Sequence, residues 1–517
     1  MKKIVTTAVV LIAVLVLAPW GIGKLAESRV NRGLDKLGET APYLTIVDRR
    51  LTRGWFRSEQ VVTFEVFGAW ARAMNPAAVY EDIRKAEEKR LGHAGAGGDS
   101  PADDGAQPTD ASAPDAASTP GAAPAAAEST APAAPAKPLR FTVRNEILHG
   151  PVLWPFSLGL ARVNTRFQMS DEVRKALVEV FGTDEPVRVS TRIGFFGGAT
   201  TRLAGDGRTI KLKDGSGNIG YSDFKFDVSY SGTLDDVDAD GTWARLEFHE
   251  NGGSQIAMKD MKFESRSARL VGDLYDTDFL FQVGEMTVVG ADKAETRVEN
   301  LHYQADTDAK GDFLDVAVKL GSGEVSSKQL HDIGLQISEI HYDFTLHHLH
   351  TQTLAKMSAA MKQAYSQPVS NLTDFESHIF TPLKDYGLQL LNFDPELTID
   401  RMGVVTPEGE GVLKGVVRLK GVTPADFQAG SMAFLGKIDS DMTIDLAQKL
   451  VDKIPNGNTG VGAAIDAGYA KRDGDKITSH IEFKRGELKI NGKSQSLPGL
   501  GGAGAEAQSP PPAVPEG

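Results

Sequence analysis

The strongest regularity along the chain is alternation with a period of two. Phe224, Phe226, Val228 and Tyr230 fall on one parity and Lys225, Asp227 and Ser229 on the other, and Ile340, Tyr342, Phe344 and Leu346 stand likewise opposite His341, Asp343 and Thr345. This pattern predicts strands with one apolar and one solvated face. The two strands open on hexapeptides that recur between them: YSDFKF from Tyr221, MKDMKF from Met258, VENLHY from Val298 and ISEIHY from Ile337, at spacings of 37, 40 and 39. Each reads apolar, any, Asp/Asn/Glu, apolar, Lys/His, Phe/Tyr. Periods in this range mark arrays of supersecondary units, none of which buries its apolar face alone. The first apolar residue of each hexapeptide breaks the alternation, which predicts a bulge or bend just before each strand. WARLEF, FLFQV and FLDVAV supply further strands between the units.

Other periodicities flank the repeat. TIVDRRLTRGWFRSEQVVTFEVF predicts a hairpin or paired strands around Arg53, Gly54 and Trp55. FTVRNEILHGPVLWP opens the main body, and a helix follows from about Ser170, the N-cap, with Asp171 and Glu172 in its first turn. After the fourth unit, TQTLAKMSAAMKQAYSQ and the stretch from Leu372 to Leu391 read as helices, with Pro382 starting or kinking part of the second. ELTIDRMGVV and GVLKGVVRLKGV begin a second β region, which an amphipathic helix near Leu446 to Ile454 interrupts before the closing KITSHIEFKRGELKING.

The apolar run from Ile4 to Trp20 follows Lys2 and Lys3. As a helix it reaches roughly 26 Å, close to the hydrocarbon thickness of a bilayer. The one small-residue stop, Ala18, is followed at once by Pro19, a poor cleavage context, so the run reads as an uncleaved anchor. A short lysine-bearing N-terminal tail stays inside, which places the body outside the cytosol. The Ala/Pro/Gly-rich stretch at 93–138 has almost no large aliphatic residue and reads as disordered. The expected organisation is an anchor at 1–23, a juxtamembrane helix and hairpin at 24–92, the disordered insert at 93–138, a repeat sheet at 139–350, helices at 351–395, a second β region at 396–497 and a disordered tail at 498–517. The fold class is mainly β (α+β): an elongated antiparallel sheet of repeated strand units, a few packed helices and one N-terminal transmembrane helix.

Composition removes several functions. With 56 basic and 69 acidic side chains and net charge −13, the chain offers no nucleic-acid footprint. The absence of cysteine excludes disulfides, thiolate metal sites and cysteine nucleophiles. No G-x-S-x-G, P-loop or dinucleotide fingerprint is present.

Three motifs invite chemistry. DDVDADGTWARLE matches a calcium loop, with Asp236, Asp238 and Asp240 at ligand positions, Gly241 at the turn and Glu247 at position twelve. The residues after Gly241 have strand composition, however, and six extended residues would put Glu247 on the order of 20 Å away. DTDAKG, Asp306 to Gly311, repeats the idiom with Lys310 in place of a carboxylate. A polar turn is therefore the preferred reading over a weak calcium site at Asp236, Asp238 and Asp240. LHHLH, Leu346 to His350, lacks the H-E-x-x-H pattern; His341 occupies a solvated strand slot, and His348 and His350 fall past the strand at the helix entry. His149, before Gly150 and Pro151, reads as a packed turn residue with no nucleophile near it, and Trp55 and Phe56 as plugs of the core. No catalytic residue, metal or cofactor is expected.

RGWFRSEQVVTFEV from Arg53, ILHGP from Ile147 and GELKINGKSQSLP from Gly486, behind an N-terminal anchor, together resemble the YdgA-like bacterial proteins, an envelope family of undefined function. The repeat also resembles the strand units of AsmA-like envelope proteins, a likeness that implies a long sheet with an apolar groove for lipid. The expectation is a non-enzymatic protein of the bacterial inner membrane with its body in the periplasm, partnered by that membrane and by lipid or an envelope protein. The alternatives are an interaction scaffold without ligand and a metal-dependent hydrolase.

Overall fold

The computed structural model describes residues 24–66 and 139–495, apart from 39–40, 42, 154–156, 213–214, 368, 370–371, 424 and 427–433. The expected anchor, insert and tail lie outside the described residues. Among the described residues no helix is long and apolar enough to cross a membrane.

A single antiparallel sheet of 23 strands carries almost the whole body. Its strands pair for the most part in chain order, each folding back on the last, although Lys471–Asp473 lies beyond the strand Lys476–Lys484, which itself pairs with Ile438–Ala447. Leu44–Arg53 pairs with Arg57–Val66, that strand with Leu139–His149, and so on to Lys493–Gln495 at the far edge. Glu396–Thr406 pairs with Glu339–His350, so the two expected β regions are one continuous sheet.

The repeat has a geometric cause. One unit is two long strands and their turns, so its third residue returns to the same height on every second strand. Asp223, Asp260 and Asn300 stand in one cross-strand row, with Ala244, Gly284 and Gly323 on the intervening strands. The bend expected before each strand lies here, but no residue is inserted. Lys259↔Glu285 and Met261↔Val283 keep one register on either side of the unbridged Asp260–Gly284 position. Asp260 and Asn300 take left-handed backbone, φ 52° and 49°, a conformation that Asp and Asn adopt at low cost. Opposite Asp260 on one side stands Gly284, where a Cβ would lie only 3.0 Å from the Asp260 Cβ. True bulges occur elsewhere, as between Leu314 and Val316 against Leu346 and Leu349.

On the apolar face Phe226, Phe263, Phe281, Tyr303, Leu320 and Tyr342 fall in a second cross-strand row. Phe263 and Phe279 meet edge to face at 5.3 Å, and Phe279 and Tyr303 at 5.7 Å. Three helical groups lie on the sheet. Helix 24–38 packs Ala26 and Val30 on Ile147, Ala161 and Ile193, and Leu34 on Val62, Phe64 and Val143. Thr351–Ser366 lies beside Gln255–Val271 and Leu274–Val289, with Lys362 bonded to Asp273 at 2.9 Å, and packs against Leu372–Leu390. Gln448–Lys453 and Gly457–Asp466 lie near the far edge. Between them the middle of the row stays open: Phe281, Tyr303, Leu320 and Tyr342 are 37 to 43% exposed. The helix Asp171–Phe181 forms as its sequence predicts, with the Ser170 hydroxyl accepting from the Val173 amide and Gly182 closing it in left-handed backbone.

Candidate functional site

Helix 24–38 does not seat flush on the sheet. Beneath it lies a cavity of about 550 Å³ whose walls are the helix residues Val30, Leu34 and Leu37 and the strand residues Phe64, Phe141, Val143, Val163, Phe167, Ile193 and Ala199, with Tyr230 and Leu234 at one side. The spacing of Val30, Leu34 and Leu37 puts all three on one helical stripe, and the sheet residues share the inward parity of their strands. Phe64 stacks on Phe141 at 5.2 Å and Phe141 meets Phe167 at 6.1 Å, an aromatic wall along one side. The volume falls within the range of small-molecule and lipid pockets, and the lining is mostly apolar with few polar groups.

Two polar features qualify the apolar lining. A buried amide chain ties the helix to the sheet. Gln60 Nε2 donates to Asn31 Oδ1 at 3.0 Å, Asn145 Nδ2 donates to Gln60 Oε1 at 3.1 Å, and the Thr165 hydroxyl donates to Asn145 Oδ1 at 2.8 Å. The linked groups of this chain thus satisfy one another, as burial demands. Arg29, Arg32 and Lys36 line the helix side of the cavity. Lys36 Nζ donates to the Thr233 carbonyl at 2.7 Å, whereas Arg29 Nε is buried with no hydrogen-bond partner among the described residues.

The motifs RGWFRSEQVVTFEV and ILHGP meet beside this site. His149 is buried; its Nε2 lies 3.0 Å from the Ser58 hydroxyl and its Nδ1 3.1 Å from the Trp55 carbonyl. Sequence reasoning missed Ser58 as the neighbour of His149. The pair has the spacing of a serine–histidine dyad. The atom orienting the imidazole is a carbonyl, however, and neither side chain lines the cavity, so the pair locks a turn. Trp55 and Phe56, expected as core plugs, are instead exposed at 45 and 58%.

The other sequence candidates disperse. Asp236, Asp238 and Asp240 sit not in a turn but in the strand Asp236–Glu250, because Asp238 and Asp240 pair across to Arg266 and Glu264 and the turn falls earlier, at 231–235. Their side chains repeat every second residue, about 6.6 Å apart, and do not converge. Glu247, in the same strand, is buried and bonded to Arg245 at 2.6 Å and His249 at 3.1 Å; burial pushes its carboxyl up, but these partners outweigh it and hold it below the usual range. DTDAKG is likewise strand, in Glu295–Lys310, with its turn at Gly311. The strand Glu339–His350 runs through LHHLH, which corrects the expectation that His348 and His350 lie beyond it. His347 bonds Asp315 at 3.0 Å, and His350 stacks on Phe393 at 4.0 Å. His341 is half-buried rather than solvated, against Glu339 at 2.8 Å.

Among the described residues one group, Asp441, His480 and Glu482, brings three metal-ligating atoms together. His480 already bonds Asp441 at 2.9 Å and Lys484 bonds Glu482 at 3.0 Å on the outer face, so the group is an ion-pair ladder across two strands.

Comparison with known proteins rests on the whole body rather than on one motif. A profile of bacterial proteins of unknown function, DUF945, matches residues 1–498. The chain belongs to the DUF945 family. The DUF945 match spans the cavity, the repeat rows and the closing hairpin alike. No curated protein and no solved structure matches the chain.

Proposed function

We propose that this DUF945 chain is a single-pass protein of the bacterial inner membrane whose periplasmic body holds an amphiphile, without catalysis, in the cavity under helix 24–38. The cavity is the observation that carries the reading: about 550 Å³, walled by aliphatic and aromatic side chains, with Arg29, Arg32 and Lys36 beside it. An acyl chain fits the walls, and an anionic head fits a buried guanidinium N–H that lacks a partner among the described residues. The apolar run Ile4 to Trp20 immediately before the helix supports the membrane address. The order of the three sequence motifs supports grouping the chain with YdgA-like envelope proteins, and the strand repeats support the AsmA-like comparison.

The test uses full-length protein in membranes that contain a phospholipid with a photoactivatable acyl chain. Crosslinked peptides are expected from the strands Leu139–His149, Ala161–Gln168 and Arg188–Ile193, and Ala199→Phe, which narrows the cavity, is expected to remove them while the thermal midpoint stays close to wild type. Crosslinks that avoid these strands, or that persist in the folded variant, overturn the reading. A second reading, an interaction scaffold without ligand, is supported by the open row at Phe281, Tyr303, Leu320 and Tyr342.

A further inference from the structure

The geometry points to a membrane-docking edge: the turns at one end of the first strands insert their apolar side chains into the surface of the bilayer that holds the N-terminal anchor. Because neighbouring strands run antiparallel, the connections at 54–56 and 194–198 and the segments 150–153 and 157–160 all lie at the same end of the sheet. Trp55, Phe56, Val152, Leu158, Phe195 and Phe196 project from them with exposures of 42 to 99%.

Phe195 and Phe196 occupy a tight turn closed by the Gly194 amide on the Gly198 carbonyl at 2.8 Å and the Gly197 amide on the Gly194 carbonyl at 3.2 Å. The turn needs Gly197, whose φ is 91°. Nothing in the turn's own hydrogen bonding calls for two phenylalanines, and Phe196, at 99% exposure, contributes no packing. The Trp55 turn is also fixed, through His149 to its carbonyl. These apolar side chains are therefore presented on rigid supports.

The position of helix 24–38 identifies the occupant. Its first turns lie at this end: Ala26 packs on Ile147, Leu160, Ala161 and Ile193, and Glu27 pairs with Arg53. Its later turns lie farther down the strands, where Leu34 meets Val62 and Phe64 and Asp35 pairs with Arg49 at 2.9 Å. The chain therefore enters the body at the end that carries the exposed aromatics, four residues after the apolar run ends at Trp20. Arg192, exposed beside the turns, adds charge that anionic headgroups attract. Aromatic and arginine side chains are the residues that settle at a bilayer interface. The docking rests on the anchor reading of residues 4–20 and is independent of what the cavity holds.

The chain has no cysteine, so one introduced thiol labels a single place. Phe196→Cys, and Gly252→Cys in a turn at the opposite end, each carry an environment-sensitive fluorophore on the full-length protein in phospholipid vesicles. A nitroxide on the upper acyl chain is expected to quench the label at 196 several-fold more than the label at 252. Equal quenching, or quenching at 196 by a headgroup nitroxide alone, overturns the docking. Flotation with the vesicles is scored separately: protein that stays behind overturns the anchor reading and the docking with it, whereas protein that floats with an unquenched 196 overturns the docking alone.

Discussion

Replacement of Asp315 by Asn isolates one charge at a point where the sheet depends on it. The bulge between Leu314 and Val316 leaves the His348 amide off the ladder, with His348 at φ 62°, and Asp315 Oδ1 accepts from that amide at 3.2 Å. Asp315 Oδ2 receives Lys310 Nζ at 2.8 Å and His347 Nδ1 at 3.0 Å, and the side chain is 11% exposed. Burial pushes the carboxyl up, but these three partners outweigh it and bring it from 3.8 down to about 2. A folded-state value below the unfolded one stabilises the fold above the unfolded pKa, and that stability is lost as pH falls toward the folded value. The shift corresponds to about 2 kcal/mol, present in full above roughly pH 5 and gone near pH 2. Asn keeps the acceptor for the His348 amide and removes the charge. In urea unfolding of wild type and Asp315→Asn, the stability difference is expected to be about 2 kcal/mol at pH 7 and to shrink toward zero as pH falls to about 2. A difference that stays constant across that range refutes the charge-based account.

Further outcomes follow from other contacts. Asn300→Gly is expected to leave the thermal midpoint near wild type, while Asn300→Val, a β-branched residue forced into left-handed backbone, lowers stability by about 1 to 3 kcal/mol; equal midpoints would contradict the kinked row. Gly241→Ala drives a methyl group into the Phe226 ring, at a cost of about 1 to 3 kcal/mol in chemical denaturation. Asn145→Ala strands Gln60 Oε1 and the Thr165 hydroxyl and is expected to cost about 1 to 3 kcal/mol, with faster hydrogen exchange in helix 24–38 as its local readout. Millimolar calcium is expected to leave the thermal midpoint unchanged, because Asp236, Asp238 and Asp240 are spread along a strand; a rise would restore the calcium reading.

Much of the β architecture was legible because alternation reports strands directly, and a repeat spacing of 37 to 40 residues equals two long strands with their turns. Hidden in the same letters was the reason for Asp260 and Asn300: one sequence does not display which glycine faces a left-handed residue across the ladder. The acidic loop misled because its composition suits a turn, while a strand accepts acidic residues equally well on a solvated face, especially opposite Arg266. The cavity left only a weak trace. Gln60 shares the inward parity of Val62 and Phe64, which follow it, and Asn145 lies between Val143 and Ile147 on theirs; a polar side chain at an apolar parity signals an interior partner. That the partner is Asn31, on a helix packed across the strands, is long-range information that periodicity does not hold.

The sequential pairing of the repeat strands has a consequence for how such a body changes length. A unit of about forty residues enters the ribbon as one hairpin and shares its ladder hydrogen bonds with the strands on either side of it. Gaining or losing a unit would alter the reach of the ribbon by about 10 Å, two strand spacings, while leaving both of its ends intact. Reach is thus a property this architecture can adjust in discrete steps, independently of the chemistry at either extremity.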